Sequence, residues 1–423
     1  KEGIALYDKG GYGVAHDHFK ETIHLQQPVN EGESEVLRTK AKLYLARCAI
    51  RQGLPDGEKL MLDFIRETAP DPASGQALVE LANYYFNDKD YDKAIEFFDD
   101  MNENTLTAKE RSEVLFKKGY SYFAKKQFKQ AKNSFNPIRN VQNEYYYPTN
   151  YYLGLVNFFE GNYNEAIKNF KVVERSSVRK YRNVLPYYLT QIYFAEGNYD
   201  ELLSYAIPKL KESGNSYIKE IKQLVGQAYF EKEQYTNALH YFEYYAERSG
   251  KMREEEFYQL GFVYMEGGQP RKAIPYFEEL VNVDSEMGQN AVYNLARLNL
   301  QIGDYNSARS DFFRASRLNY DPRIQDESLF NYAKLSYELK YDQDAISALQ
   351  GITPTSSYYT EAQTLMSNIF LDTRDYEGAL AIMRTLPQPL TPDLREAYQK
   401  VNYYRGVQLY AQEDFVQAER YFR

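Results

Sequence analysis

One pattern recurs along this chain and limits what it can become: a small residue, Ala twelve positions later, and an aromatic residue four beyond that. The segment Gly154 to Ala166 aligns with Gly226 to Ala238 and with Gly261 to Ala273, and the run EGNY stands at 160–163 and again at 196–199. The small residue is Gly3, Ala46, Ala82, Gly119, Gly154, Thr190, Gly226, Gly261, Ala296, Ala333, Ser367 and Gly406, at intervals of 34 to 43 residues. Twelve later come Ala15, Ala94, Ala131, Ala166, Ala238, Ala273, Ala308, Ala345, Ala379 and Ala418, with Glu58 and Leu202 as exceptions. Four further on stand Phe19, Phe98, Phe135, Phe170, Phe242, Phe277, Phe312 and Phe422, or else Leu62, Ala206, Leu349 and Met383. A period this short, sustained from end to end, excludes one central core, because so small a repeat buries its apolar face only against its neighbours.

The offsets say what each repeat folds into. An aliphatic residue precedes the small one (Leu81, Leu153, Leu189, Leu260, Leu295), and an aromatic often follows three after it (Tyr85, Tyr122, Tyr193, Tyr229, Tyr264). These offsets place them on one face of a helix. Gly or Ala between them lets a second helix come close. Gly161, Gly197, Gly268 and Gly303 then suit a turn that needs positive φ. The aromatic after each turn (Tyr91, Phe128, Tyr163, Tyr199, Tyr235, Tyr305, Tyr376, Phe415) is expected to start the second helix and plug the pair.

A tandem helix–turn–helix of this period resembles the tetratricopeptide repeat (TPR). The resemblance covers essentially the whole chain in about twelve repeats, near 1–30, 35–70, 74–104, 109–143, 146–178, 183–213, 217–249, 253–285, 288–320, 325–354, 358–389 and 394–423. The Trp that the family carries near the start of its first helix is absent throughout. Its late Pro is irregular, with Pro322 and Pro354 fitting loosely. The second repeat, around Ala46 to Leu62, departs furthest, with Pro55 and Gly57 in its turn; in the tenth, Tyr341 stands one residue nearer to Ala345 than the usual turn aromatic. The resemblance implies an all-α chain, an α-solenoid in which stacked TPR helix–turn–helix repeats form an elongated right-handed superhelix.

Two junctions are longer: Gln27 to Ser34 (QPVNEGES) and Leu386 to Asp393 (LPQPLTPD). Each reads as a longer loop between repeats rather than a domain boundary, with a bend expected at 386–393 from its prolines. Only Lys1 and Glu2 precede Gly3, and the last repeat stops inside its second helix. The chain is therefore expected to be a piece of a longer repeat protein, with Phe415, Tyr421 and Phe422 partly uncovered and self-association through uncapped array ends.

In the family, the first helices line a concave groove for extended peptides or partner segments, and the resemblance implies that surface here. Three before the small residue stand Phe116, Tyr151, Tyr187, Tyr258, Tyr293, Phe330 and Tyr403; four after it stand Phe86, Phe123, Phe158, Phe194, Phe230, Tyr337 and Tyr410. One after it come Asn83, Tyr120, Gln191, Gln227, Arg297, Lys334 and Asn368. The two aromatic rows share one helix face. They read either as a ladder that holds a peptide's apolar side chains while amides and cations bond its backbone, or as packing between repeats. The candidate peptide-binding set is Asn83, Phe116, Tyr120, Tyr151, Tyr187, Gln191, Gln227, Tyr258, Tyr293, Arg297, Lys334 and Tyr403. Some chaperone-binding members grip a C-terminal carboxylate with Lys and Asn on neighbouring first helices. That grip is not expected, since Val79 precedes Asn83 where Lys would be needed.

The net charge of -9, from 60 acidic and 51 basic residues, argues against a general affinity for nucleic acid. The charge is uneven: acidic from Asp88 to Glu103, basic from Lys117 to Lys132 and from Lys168 to Arg182, acidic again from Glu243 to Glu256. The simpler reading is a solvated outer face with ion pairs; the other is an acidic partner segment near repeats four to six. The single cysteine, Cys48, excludes an internal disulfide and reads as a buried core thiol. His16 and His18 point about 200° apart on a helix and cannot share a metal, and His24 and His240 have no obvious ligand neighbours. No Gly-rich phosphate loop, HExxH, nucleophile elbow or CxxC is present.

The expectation is a non-enzymatic protein–protein interaction scaffold. It has no catalytic residue, cofactor or metal, takes a protein or peptide partner and no nucleic acid, and has no membrane-spanning segment, since no apolar run approaches ~20 residues. The alternative is a glycan-binding, outer-membrane-associated protein; the short junctions and the lack of Trp weigh against it. The Tyr-rich, Asn- and Lys-rich, Cys-poor composition resembles long repeat proteins of Gram-negative cell envelopes. Assembly of an envelope complex is thus the expected role. The periplasm or the periplasmic face of the outer membrane is the expected place, with the cytoplasm as the alternative.

Overall fold

The computed structural model describes residues 1–25, 31–69, 71–384, 386 and 388–423; of residues 31–34 and 72 the backbone alone is described. The described residues form helices joined by turns, with no strand among them. They fall into two compact bodies, residues 1–198 with 211–217 and residues 199–210 with 218–423. In the first body the helices come in pairs: Glu2–Asp8 with Tyr12–His24, Glu31–Arg51 with Gly57–Thr68, Pro72–Asn87 with Tyr91–Asp99, Ala108–Ala124 with Phe128–Phe135, and Tyr146–Phe159 with Tyr163–Val173. The short Arg179–Arg182 and then Leu185–Ala195 close it. The second body opens with Tyr199–Lys209. It continues with Ile218–Glu231 and Tyr235–Arg248, Glu254–Glu266 and Pro270–Glu278, Glu286–Ile302 and Tyr305–Arg317, Pro322–Glu338 and Asp342–Gln350, Tyr359–Asp372 and Tyr376–Met383, and Pro392–Ala411 and Phe415–Phe422. Within each body every pair packs on the next, which is the architecture of an all-α solenoid. The Gln27–Ser34 junction lies outside the described residues as far as residue 30, and 31–34 open the helix Glu31–Arg51. At the Leu386–Asp393 junction the chain leaves one helix at Met383 and enters the next at Pro392.

The contact that closes a pair is the one the sixteen-residue offset encodes. Phe170 is wholly buried with its ring against Gly154, and a Cβ at Gly154 would stand 2.4 Å from Phe170 Cε1. The same approach joins Gly119 to Phe135 at 2.6 Å, Gly226 to Phe242 at 2.8 Å and Gly406 to Phe422 at 2.6 Å. Where the small residue is Ala, as at Ala82 before Phe98 or Ala296 before Phe312, the ring is also buried. Leu81, Leu153, Leu189, Leu260 and Leu295 are all buried beside these contacts.

The turn inside each pair has its own register. The residue seven after the small one has positive φ in every pair: Gly10, Gly53, Gly161, Gly197, Gly268 and Gly303, but also Lys89, Lys126, Glu233, Lys340, Arg374 and Glu413. This residue ends the first helix in the left-handed region, and its neighbours close the turn. Gly161 N–H donates to Phe158 O at 3.1 Å, and Asn162 N–H to Asn157 O at 2.8 Å; Lys126 and Gln127 repeat both bonds at 2.9 Å. The next residue is often an Asp that caps the second helix, as Asp90, Asp304, Asp375 and Asp414 do. The aromatic after it starts the second helix, as expected. Tyr91, Tyr163 and Tyr235 are half-buried, but Tyr305 and Phe415 are exposed.

The second repeat corrects the sequence alignment. Its buried positions are Gly57, Met61 and Phe64, one residue ahead of the expected Glu58 and Leu62. The cause is the close approach of Gly57 to the first helix, where a Cβ would stand 2.9 Å from Ile50 N and 3.0 Å from the Ala49 carbonyl carbon. Glu58 is thereby freed to bond Lys93 at 2.6 Å and to accept from the Tyr85 hydroxyl.

Two substitutions of Gly by Ala are expected to move stability in opposite directions. Gly154→Ala gains about 1 kcal/mol of helix propensity but drives a methyl into Phe170, at a cost of about 1–3 kcal/mol, so its melting temperature should fall. Gly75→Ala, on the helix Pro72–Asn87 with nothing nearer than Thr105 Oγ1 at 3.8 Å, should melt higher. Thermal melts by circular dichroism check both. Lys126→Gly is a third case. Lys126 holds φ 58, where a side chain costs about 1 kcal/mol, so the substitution should raise the melting temperature; a fall would contradict the assigned turn.

Candidate functional site

Tyrosine hydroxyls on the first helices find two kinds of surroundings. Many donate to a carboxylate of an adjoining helix pair. Tyr122 donates to Asp99 Oδ2 at 2.5 Å, Tyr264 to Glu243 Oε1 at 2.7 Å, Tyr293 to Glu327 Oε1 at 2.5 Å, and Tyr85 and Tyr337 to Glu58 and Asp372. Between pairs, Tyr320 donates to Asp284 Oδ1 at 2.9 Å. Burial, with the Glu58 carboxylate second, pushes the Tyr85 phenol up to about 12. The Asp372 carboxylate, with burial second, pushes Tyr337 to about 12.

The other kind is ring against ring. In the first body Phe116 packs on Tyr145 at 5.1 Å between centroids, Tyr151 on Tyr181 at 4.9 Å, and Tyr187 on Tyr217 at 4.6 Å. In the second body Phe330 packs on Tyr358 at 5.3 Å. Each pair joins the ring three before one small residue to a Tyr nine before the next. Those four tyrosines were missed by the candidate set, although a Tyr recurring nine before Gly154, Thr190, Gly226 and Ser367 is a signal that the sequence carries.

The structure brings the candidates of each body into different company. Tyr120 lies among Phe86, Tyr91, Phe116 and Tyr152, the last at 5.0 Å edge-on. Tyr151 and Tyr187 are half-buried, and Gln191 Nε2 donates to the Tyr187 hydroxyl at 2.8 Å. Asn83 accepts from Lys117 Nζ at 2.9 Å and so is already engaged across repeats. It also lines a cavity of about 360 Å³ with Tyr7, Arg51, Glu80 and Asn87, where Arg47 Nε bonds Glu80 Oε2 at 2.7 Å. In the second body Tyr258 stacks along Phe262 and meets Phe277. Arg297 is exposed, 5.7 Å from the centre of the Tyr293 ring. Gln227 is half-buried, Lys334 exposed, and Tyr403 is 57% exposed beside Tyr404 and Phe422. No contact gathers these into one pocket; they recur on the first helices at two registers, three before and one after the small residue.

Among the described residues no group of three or more His, Cys, Asp or Glu side chains could hold a metal ion, and no helix is long and apolar enough to cross a membrane. Cys48 is buried, and burial pushes its thiol up to about 11.

Family profiles described as tetratricopeptide repeat match residues 75–100, 113–136 and 258–322. The chain is a tetratricopeptide-repeat protein. No curated protein sequence matches it. Among solved structures it is similar to YrrB, a TPR protein with an unusual peptide-binding site, at 20% identity and a TM-score of 0.38, covering 46% of this chain and 97% of that one. It is also similar to PilF of Pseudomonas aeruginosa, at 16% identity and a TM-score of 0.28, covering 61% and 98%. A third is the Cut9–Hcn1 hetero-tetramer of the APC/C, at 13% identity and a TM-score of 0.29, covering 94% and 88%.

The phenols of this TPR chain give a pH prediction. Those raised by burial and by carboxylates stay protonated in the folded state above the ordinary value near 10. The stability they contribute is complete below pH ~10 and is lost as pH rises towards 12, where the unfolded chain ionises first. Absorbance at 295 nm should therefore show a late group of tyrosines titrating together with the loss of helical signal. Ionisation of all 43 tyrosines near pH 10 with the helices intact would contradict the burial assigned here.

Proposed function

We propose that this TPR protein is a non-enzymatic protein–protein interaction scaffold that holds segments of partner proteins along the face of its first helices. The observation that carries this reading is the recurrence of the candidate residues on the first helices at two registers, rings such as Tyr151 and Tyr187 half-buried at one and amide or cationic groups such as Gln227, Arg297 and Lys334 at the other. An extended segment laid across successive first helices would meet the same chemistry at each step: a ring edge for its side chain and a donor for its carbonyl. Assembly of a cell-envelope complex is the finer form of this reading, supported by a composition with 43 tyrosines and one cysteine. The glycan-binding alternative is less well supported. A sugar stacks on an open ring face, and many rings here pack on one another, some face to face, as Tyr187 and Tyr217 do at an interplanar angle of 24°.

Panning a displayed peptide library against the protein tests the scaffold reading. Binding peptides should be enriched, and a photo-crosslinking probe on the best of them should label first helices such as Tyr146–Phe159 or Glu254–Glu266. No enrichment, or labels confined to second helices, would count against it.

A further inference from the structure

Between the helices Tyr163–Val173 and Leu185–Ala195 of the first body stand Arg175, Arg179, Lys180 and Arg182, all exposed. Among the described residues none of the four has a carboxylate at ion-pairing distance. Five lysines before them in the same basic stretch are paired. Lys117 meets Glu113 at 2.5 Å, Lys118 meets Asp99 at 2.9 Å, Lys125 meets Asp92 at 2.7 Å, Lys132 meets Glu160 at 2.9 Å and Lys168 meets Glu165 at 2.6 Å. Residues 109–182 hold fifteen Lys and Arg against six Asp and Glu, a surplus of nine in a chain whose net charge is -9.

The phenols beside these cations lack carboxylates too. Tyr181 lies inside the cluster, with Lys180 Nζ 5.7 Å from its ring centre, and packs on Tyr151. Elsewhere in this protein a first-helix phenol repeatedly bonds an Asp or Glu. Here the groups that act on Tyr151, Tyr181 and Tyr188 are other phenols, including those of Tyr217 and Tyr187. Burial first, and this company second, hold the Tyr151, Tyr181 and Tyr188 phenols above their ordinary value, with Tyr151 and Tyr188 sharing a hydrogen bond. Donors and cations thus crowd together, and Glu174, itself half-buried and engaged, is the one acid of the segment between the two helices.

We propose that the ledge formed by Tyr151, Tyr181, Tyr217, Arg179, Lys180 and Arg182 seats an acidic, Asp- and Glu-rich segment of a protein partner. The proposal rests on the scaffold reading and names the partner's chemistry. Guanidinium groups take carboxylates in paired hydrogen bonds, and the phenols repeat towards the partner the bond that Tyr122 and Tyr264 make within the chain. Single-stranded nucleic acid fits less well, because a base needs an open ring face. Tyr187 has its face against Tyr217 at 4.6 Å, and Tyr151 packs tilted on Tyr181 at 4.9 Å.

Fluorescence anisotropy of the full chain with a labelled Glu–Gly–Glu–Ala repeat peptide tests this. The peptide should bind, and weaken about tenfold or more between low salt and 0.5 M salt. Arg179→Glu with Lys180→Glu and Arg182→Glu should lose at least tenfold while melting like the parent, whereas reversing Lys251 and Arg271 of the second body should not. Tyr181→Phe, which keeps the ring and removes the donor, should also weaken binding. Equal affinity for the matching Gln peptide, indifference to the triple reversal, or tighter binding of an oligo-dT strand would overturn the proposal. If the Gln peptide or a library peptide binds the first helices and the acidic one does not, this inference fails and the scaffold reading stands. If no peptide binds at all, both fail.

Discussion

Most helix pairs in this fold depend on a ring laid against a helix at a place where there is no side chain, or only a methyl, to hold it off. Phe170 on Gly154 and Phe135 on Gly119 bring two helices closer than a larger residue would allow. The buried alanine four before each ring, Ala166 and Ala131, keeps that approach close on the second helix as well. One pair secured in this way still has apolar surface to cover, and the next pair covers it. Dispersion and burial therefore act twice over a short distance, within a pair and between neighbours.

Much of this was legible because the contact is local in sequence. A sixteen-residue offset survives any change elsewhere in the chain, so Gly226 and Phe242 could be matched without knowing where other repeats lie. What stayed hidden has physical reasons. The left-handed turn residue is Gly in some repeats but Lys, Glu or Arg in others, as at Lys126 and Glu233. The backbone can take that conformation at a modest cost, so composition does not betray it. The second repeat misled because a tighter turn carries Gly57 onto the backbone of Ala49 and Ile50 and moves every later position by one. The candidate face was legible as a register but not as a set of contacts. Tyr145, Tyr181 and Tyr217 stand in the segments between repeats, and their rings matter only once a neighbouring first helix brings Phe116, Tyr151 or Tyr187 to them.

Polar contacts add selectivity to this apolar frame. A hydroxyl that crosses from one pair to a carboxylate on the preceding one, as from Tyr122 to Asp99 or from Tyr264 to Glu243, is satisfied only in one relative placement of the two pairs. Tyrosine serves well here, since its ring contributes to packing and its tip to hydrogen bonding in the same side chain. The abundance of tyrosine and the absence of tryptophan are then two sides of one requirement, for a ring with a hydroxyl at its far end.

The placement of each ring and the gap that receives it within the same thirty or so residues has a further outcome. A block copied or lost whole takes both halves of the contact with it, and leaves behind ends that match as before. Chain length is therefore free to drift in a lineage of such proteins, while spacing inside a block is not. At Gly57 a shift of one residue is accommodated because that residue is small enough to take the displaced role.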